Sequence, residues 1–242
     1  MNEMINGHTV KAFNKDLKTI NDLVMELGEL GLDQLRRAVQ TLKDEDTKAA
    51  GQVIDRDQKM NELDIRADEE IIRLIAKRQP VAKDLRDVLT VQKTVSDLER
   101  VGDEARKIAN LTIHFFDNGK SNPPGNEILR DIYSMAEFVD RMLVISLESF
   151  AELDLHKAVE VIREDGKLYE EFRSSLRRLS TFIMEDSRSV GHVVDIVLAL
   201  RALERIGGHA KNIGGYVIFL VTGKDVRHED LNVIATEIAN LL

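Results

Sequence analysis

The sequence predicts an all-α protein, a tandem pair of three-helix bundles with six long antiparallel helices and a short C-terminal helix. Only three prolines interrupt its 242 residues, and the segments between turn signals are long, which favours helices over strands. Apolar residues recur at alternating steps of three and four, which is the spacing of one helix face. Residues 98–108 (LERVGDEARKI) return 105 positions later as residues 203–213 (LERIGGHAKNI). A repeat of this kind indicates two similar halves.

The first half contains the patterns of three helices. Their predicted spans are about residues 13–42, 46–79 and 82–117. Asp46 suits the N-cap of the second helix, and Pro80 stops that helix because proline cannot continue one. Gly, Pro, Asn and Ser cluster at 118–125, which is the strongest turn signal in the chain. We therefore predict two domains, which are residues 1–120 and 121–242.

The second half repeats this plan. Its helices are predicted at about residues 129–150, 154–183 and 190–221, with a short last helix at about 230–242. Asp154 suits the N-cap of the fifth helix, as Asp46 does for the second. Asp57 follows Asp46 by eleven residues, and Asp165 follows Asp154 by the same eleven. The repeat therefore extends to the middle helices, and short loops make sequential helices antiparallel neighbours.

Charge and composition exclude several classes of function. The net charge is −9, so nucleic acid and bare anionic membrane are not expected partners, because both attract basic surfaces. The chain has no cysteine, which excludes disulfides, thiolate metal sites and a cysteine nucleophile. The most apolar stretch, 216–221, is far shorter than the roughly 20 residues that cross a bilayer. We expect a cytoplasmic protein that reaches membranes only through partners.

Two aspartates stand in the apolar stripes of the middle helices. Asp57 lies between Val53 and Met60, and Asp165 holds the corresponding place in the second half. A carboxylate in such a stripe costs free energy unless it is paired or bound to a cation. Taken alone, either aspartate is better explained by an ion pair with a neighbouring helix than by a metal ion.

The repeated segment adds an acidic pair. Glu99 and Asp103 are four residues apart, so on a helix they share one face, where two like charges repel. Carboxylate oxygens suit hard or borderline cations. The pattern Asp57-x-x-x-Asn61 facing Glu99-x-x-x-Asp103 is a stronger metal signal than either pair alone. Salt-bridge partners are also present on the same helix, namely Arg100 and Arg106.

Both copies of the repeat hold a glycine inside a predicted helix, Gly102 and Gly207. Glycine at such a position costs about 1 kcal/mol relative to alanine. Its presence in both copies indicates either close approach of a neighbouring helix or a ligand against the backbone. We favour close helix packing.

Several segments together resemble the PhoU family of phosphate-signalling regulators. They are the two repeat copies together with AKRQPVAKDLR (76–86), MEDSR (184–188) and VTGKDVRH (221–228), and the resemblance covers nearly the whole chain. It implies a cytoplasmic, commonly dimeric, non-enzymatic protein that represses the phosphate-starvation response. Such proteins couple the phosphate ABC transporter, through its ATPase PstB, to the sensor histidine kinase PhoR.

The resemblance also implies metal ligands, because the family motif Glu/Asp-x-x-x-Asp binds metal ions, including iron or zinc, in some members. No cofactor is required. The motif falls on Asp57, Asn61, Glu99 and Asp103 in the first half, and on Asp165 and Glu204 in the second.

The second copy of the motif departs from the family pattern. Tyr169 and Gly208 stand where acids are expected, and Tyr169 suits the apolar core stripe. We therefore expect a weak divalent-metal site in the first half and a weaker or absent one in the second. His209 is one residue out of phase with the missing ligand, so we expect it to be exposed to solvent.

The sequence holds no catalytic constellation that we recognise. Gly119-Lys120-Ser121 lacks the first glycine of a P-loop, since His114 stands there. None of the six histidines has a glutamate three residues before it, as a di-iron site needs. A carboxylate metal-binding protein or metalloenzyme and a purely structural oligomer remain the alternatives to a regulator. The expected partner-binding side chains are Arg86, Arg100, Arg188 and Arg205.

Overall fold

Six long helices and one short 3-10 turn make up the ranges 11–117 and 124–226. The computed structural model describes residues 11–117 and 124–226, together with positions 229, 233 and 236. The helices are α1 (Lys11–Asp44), α2 (Thr47–Arg78), α3 (Lys83–Phe116), α4 (Asn126–Glu152), α5 (Leu155–Glu185) and α6 (Val190–Thr222), with a 3-10 turn (Ser187–Ser189) before α6. The described ranges contain no strand, so the all-α prediction is confirmed.

Two predictions fall outside this description. The C-terminal helix predicted for 230–242 lies almost entirely outside the described residues, and so does most of the turn cluster that suggested a boundary near residue 120. The division into domains 1–120 and 121–242 therefore stays a prediction.

The helix starts follow the capping chemistry that the sequence indicated. The Asp46 side chain accepts a hydrogen bond from the backbone N–H of Ala49, at 2.9 Å. The Asp154 side chain accepts from the backbone N–H groups of His156 and Lys157, at 2.8 and 3.1 Å. Each carboxylate satisfies amide groups that have no partner inside the helix, and it also complements the positive end of the helix dipole.

Each half is a bundle in which every helix contacts the other two. In the first half α1, α2 and α3 pack together, and in the second half α4, α5 and α6 do the same. All six helices also carry charged side chains toward solvent. Within the described parts of the chain, no helix combines the length and the apolar character needed to cross a membrane.

The two halves are joined mainly by a seam, which we define as the contact between α3 and α6. Glu104 on α3 meets Arg205 on α6, and Asp97, nearly two turns earlier on α3, meets His209 on α6. Residue numbers thus fall along α3 as they rise along α6, so the two helices are antiparallel. Because Glu104 and Arg205 both belong to the repeated segments, the two copies of the repeat pack against each other at the seam. A smaller contact joins α1 to α4.

Candidate functional site

A helix-to-helix ion pair holds the buried aspartate of the first half. The Asp57 side chain is only 5% exposed, and its Oδ2 lies 3.2 Å from Nε of Arg106 on α3. Arg106 also donates to Oδ1 of Asp103 through Nη2, at 2.8 Å. Burial raises the pKa of Asp57, with Asp103 adding to that rise, while the Arg106 guanidinium opposes it. The ion pair expected from a single buried aspartate is therefore present.

The same pair recurs in the second half. Nζ of Lys211 donates to Oδ2 of Asp165 at 2.6 Å. Lys211 stands 105 residues after Arg106, and Asp165 stands 108 after Asp57, so the duplication preserved both members of the pair. Asp165 is less buried than its place in the predicted stripe implied, because its side chain is 28% exposed.

The two repeated glycines lie where the middle helix of each half packs on the last one. A Cβ atom on Gly102 would lie 3.1 Å from two atoms of Met60 and 3.5 Å from Oδ1 of Asp57. A Cβ atom on Gly207 would overlap the Cδ2 methyl of Leu168, which is the counterpart of Met60. The glycines therefore permit close helix packing, as predicted.

The remaining acids of the first half form a crowded face. Burial raises the pKa of Glu99, and the charges of Asp103, Asp64 and Asp57 raise it further, against the opposing effect of Arg100. Asn61, predicted to complete this face, is exposed.

Asp64 is the acid that the motif did not include. Its own pKa is raised by burial and by Asp68. Asp64 follows Asp57 by seven residues, and this heptad spacing on α2 was the signal that could have found it.

This arrangement is not a preformed metal cage. In the described part of the chain, no three histidine, aspartate or glutamate side chains are close enough to hold one ion. Arg106 already contacts the carboxylates of Asp57 and Asp103, so a cation would have to displace its guanidinium. In the second half, Glu204 pairs with Arg201 at 3.0 Å, as Asp165 does with Lys211. Metal binding at these residues stays a prediction.

Tyr169 is exposed and does not belong to the core. Its exposed fraction is 49%, whereas the neighbouring Leu168 is 1% exposed. The buried stripe of α5 passes through Leu168 and Phe172, and the next residue along a helix points about 100° away. Tyr169 therefore shares the exposed side of its helix, as its counterpart Asn61 does on α2.

His209 is not exposed to solvent, contrary to expectation. Its side chain is only 16% exposed, and Nδ1 lies 2.6 Å from Oδ1 of Asp97. The amide nitrogen of Asn212 donates to the same oxygen at 3.3 Å. Asp97 belongs to the other half of the chain, so nothing local in the sequence around His209 indicated this partner.

A second buried acid lies in the seam. Glu104 accepts a hydrogen bond from Nζ of Lys107 at 2.7 Å and another from Nη1 of Arg205 at 3.2 Å. Both seam acids, Asp97 and Glu104, were missed as buried polar residues. Their spacing could have revealed them, because Asp97, Val101, Glu104 and Ile108 follow the four-three-four steps of one helix face.

The four arginines predicted to bind partners fall into two groups. Arg100 and Arg188 are exposed, and the ion-pair partner of Arg188 among the described residues is Asp186, two positions earlier. Arg86 is half-buried and donates to the Leu220 carbonyl at 3.4 Å. Arg205 is exposed, but it forms the ion pair with Glu104 across the seam. Arg100 and Arg188 are thus the members whose side chains form no hydrogen bond or ion pair with another long helix among the described residues.

Comparisons with known proteins agree with this architecture. The sequence pattern of the PhoU domain matches twice, at residues 24–112 and 132–217. The chain is 39% identical over 238 residues to the phosphate-specific transport system accessory protein PhoU homolog of Pseudomonas aeruginosa, covering 98% of this chain and 97% of that protein. It is 36% identical over 224 residues to the accessory protein PhoU of Escherichia coli strain K12, covering 93% and 91% of the two chains.

Solved structures give the same result. The crystal structure of PhoU from Pseudomonas aeruginosa superposes with a TM-score of 0.81 at 39% identity, covering 88% of this chain and all of that one. The regulatory protein PhoU of Streptococcus pneumoniae shares the fold, with a TM-score of 0.77 at 24% identity, over 88% of this chain and 99% of that one. With two matched domains, near full-length relatives and a shared fold, this chain belongs to the PhoU family.

Proposed function

We propose that this protein is a non-enzymatic cytoplasmic regulator that represses phosphate uptake and the phosphate-starvation response. It does so by linking the transporter ATPase PstB to the sensor kinase PhoR. Family membership supports the proposal, as do the names of the relatives, which are accessory proteins of the phosphate-specific transport system.

The structural observation that carries the proposal is the seam. Buried polar contacts from Asp97 and Glu104 on α3 reach His209 and Arg205 on α6. Such contacts favour one relative placement of the two halves, because another placement would separate the buried Asp97 from His209 and Asn212. A defined placement suits a protein that links two partners, because it holds two docking surfaces at one separation.

The regulatory role is tested in cells. We expect a strain that lacks the gene to produce alkaline phosphatase in phosphate-rich medium, and we expect the wild-type gene to restore repression. If alkaline phosphatase stays repressed in the deleted strain, the proposed regulatory role is wrong.

Docking is tested with purified proteins. We expect this protein to capture PstB and the cytoplasmic part of PhoR, and Arg100→Glu or Arg188→Glu to weaken at least one of these complexes. Arg66→Glu is the matched control, because Arg66 is also exposed but lies on α2. A wild-type protein that captures neither partner would point to a structural oligomer instead. Light scattering on the same samples tests the proposed homodimer.

A further inference from the structure

A groove of about 600 Å³ runs along the seam, where the first turns of α3 lie beside the last turns of α6. Its walls include Leu85, Arg86, Leu89, Lys93, Tyr216 and Phe219. This volume lies within the range of about 300–1,000 Å³ that is typical of small-molecule sites. The groove is separate from the acids near Asp57.

Two cationic groups meet at one aromatic ring in this groove. The guanidinium carbon of Arg86 lies 5.7 Å from the centroid of the Phe219 ring, and Nζ of Lys93 lies 5.9 Å from the same centroid. Neither cation forms an ion pair with a carboxylate in the described ranges, and Nε of Arg86 is buried without a hydrogen-bond partner. Two like charges that lie beside the same ring repel each other. An anion placed between them would remove that cost.

The internal duplication supplies a natural comparison. A second groove of about 460 Å³ lies at the opposite end of the seam, beside Leu111, His114 and Leu198. The positions that correspond to Arg86 and Lys93 in the second half are Gly191 and Leu198. The same helix pair thus packs at that end without cations at those two positions. The cations that do line the second groove, Lys107, Arg201 and Arg205, each form an ion pair with a glutamate. Packing of this helix pair therefore does not in itself require a cation at either position.

The lining also indicates what kind of anion would bind. An arginine fork and a lysine ammonium together suit the several oxygens of a phosphoryl group. Leu89, which is 43% exposed, and the half-buried Leu85 offer an apolar wall that inorganic phosphate could not use. The net charge of −9 opposes anions in general, so attraction must come from local groups.

From these observations we propose that the groove binds a small organic phosphate. Its phosphoryl oxygens lie between Arg86 and Lys93, and its organic part lies against Leu85, Leu89 and the Tyr216 ring. Asp97, at the inner end of the groove, is 7% exposed and has one carboxylate oxygen without a hydrogen-bond partner. This acid provides an acceptor for a hydroxyl or amino group of the ligand.

The proposal is tested by titration calorimetry of the full chain with ATP, pyrophosphate and inorganic phosphate as probes. The buffer contains a chelator, so that the acids near Asp57 cannot attract ATP through a metal ion. We expect ATP to bind more tightly than either inorganic anion. Lys93→Gln and Arg86→Gln should each weaken ATP binding by about tenfold, since each removes a charge-assisted contact.

Lys107→Gln is the matched control, because Lys107 lines the second groove and the substitution removes the same charge. We expect it to leave ATP affinity unchanged. Circular dichroism tests whether each variant folds. Lys93→Gln is the variant expected to disturb packing least, because Lys93 is half-buried on the groove wall. The proposal is wrong if ATP does not bind at millimolar concentration, if Lys107→Gln weakens binding as much as Lys93→Gln, or if inorganic phosphate binds as tightly as ATP.

Discussion

Single side chains show how the duplicated halves handle the same buried acid. In each half an aspartate of the middle helix pairs with a cation two turns beyond the glutamate of the LER motif, as Asp57 does with Arg106 and Asp165 with Lys211. Both cations are about 40% exposed, so each pair is screened by water and contributes modestly to stability. In the first half this ion pair does not include Glu99, whose carboxylate stays close to other acids.

Glu99 is predicted to reduce stability at neutral pH. Its folded-state pKa is raised by burial and by Asp103, Asp64 and Asp57. A raised acidic pKa means that the folded state resists ionisation, so stability falls as the pH rises through that pKa and recovers below the unfolded value of about 4.3. Glu99→Gln should therefore be more stable than wild type at pH 7, with the advantage shrinking toward pH 4.

Urea unfolding at several pH values measures this difference. Glu204→Gln is the control, because Glu204 is the counterpart of Glu99 and forms an ion pair with Arg201, so its replacement should bring no gain. An advantage of Glu99→Gln that is the same at pH 7 and pH 4 would contradict the charge explanation.

Arg106 is predicted to compete with metal ions. Removing its guanidinium in Arg106→Gln leaves Asp57 and Asp103 without the cation that contacts both. We expect Mn²⁺ to bind this variant more tightly than wild type, because carboxylates without a cation suit such an ion. Calorimetric titration measures the affinities, and adding Asp103→Ala to Arg106→Gln should remove the gain.

Arg100→Gln is the matched control, since Arg100 lies on the same helix and contacts neither carboxylate through a described ion pair. Wild-type protein that binds Mn²⁺ as tightly as Arg106→Gln would show that the guanidinium does not occupy the site.

At the level of helices, alanine substitutions at two adjacent glycines of α6 are predicted to change stability in opposite directions. Gly207→Ala places a methyl group against the buried Leu168, whereas the space around Gly208 is open to at least 4 Å. Overpacking typically costs about 1–3 kcal/mol. Alanine in place of an open helical glycine gains roughly 0.5–1 kcal/mol. Thermal unfolding should therefore show a lower Tm for Gly207→Ala and a higher Tm for Gly208→Ala. Equal shifts would mean that Leu168 moves aside freely.

Helix order and helix ends could be predicted from the sequence because their causes are local. Asp46, Asp154 and Pro80 mark ends through capping and through the missing proline N–H, and these effects act within a few residues. The buried face of α5 was harder to predict, because its apolar residues form two stripes that are offset by one residue. Tyr169 lies in the stripe that is exposed. The exposed side was decided by packing against α4 and α6, which lie elsewhere in the chain.

The residues of the candidate site likewise fall into those with a local signal in the sequence and those without one. Asp57 and Arg106 were both noted from the sequence, since each stands out in its own helix. The His209 contact with Asp97 joins residues 112 positions apart, and the sequence alone does not state which helices of the two halves meet. Contacts across the seam were therefore the part that could not be predicted.

For the molecule as a whole, the main consequence of the duplication is that the repeated helices pack on each other. The third helix of each half, α3 or α6, lies at the centre, where it contacts both other helices of its own bundle and the third helix of the other. Neither half buries all of its helix faces by itself. If the halves separated, α3 and α6 would each expose a face that is buried at the seam. Asp97 and Glu104 lie on that face of α3.

The two halves are therefore predicted to unfold as one unit. Separation would expose the apolar surface of the seam, and it would also break the α1–α4 contact, where Arg36 donates to both oxygens of Asp140 at 2.6 and 3.0 Å. Scanning calorimetry should show one transition whose calorimetric and van't Hoff enthalpies agree.

Asp97→Ala should lower the Tm of this single transition, because it removes the acceptor of His209 and Asn212 at a cost of about 1–3 kcal/mol. Arg66→Ala, on an exposed face of α2, should leave it unchanged. Two separate transitions in the wild-type protein would show that the halves fold independently, and the seam could then not hold two docking surfaces at a defined separation.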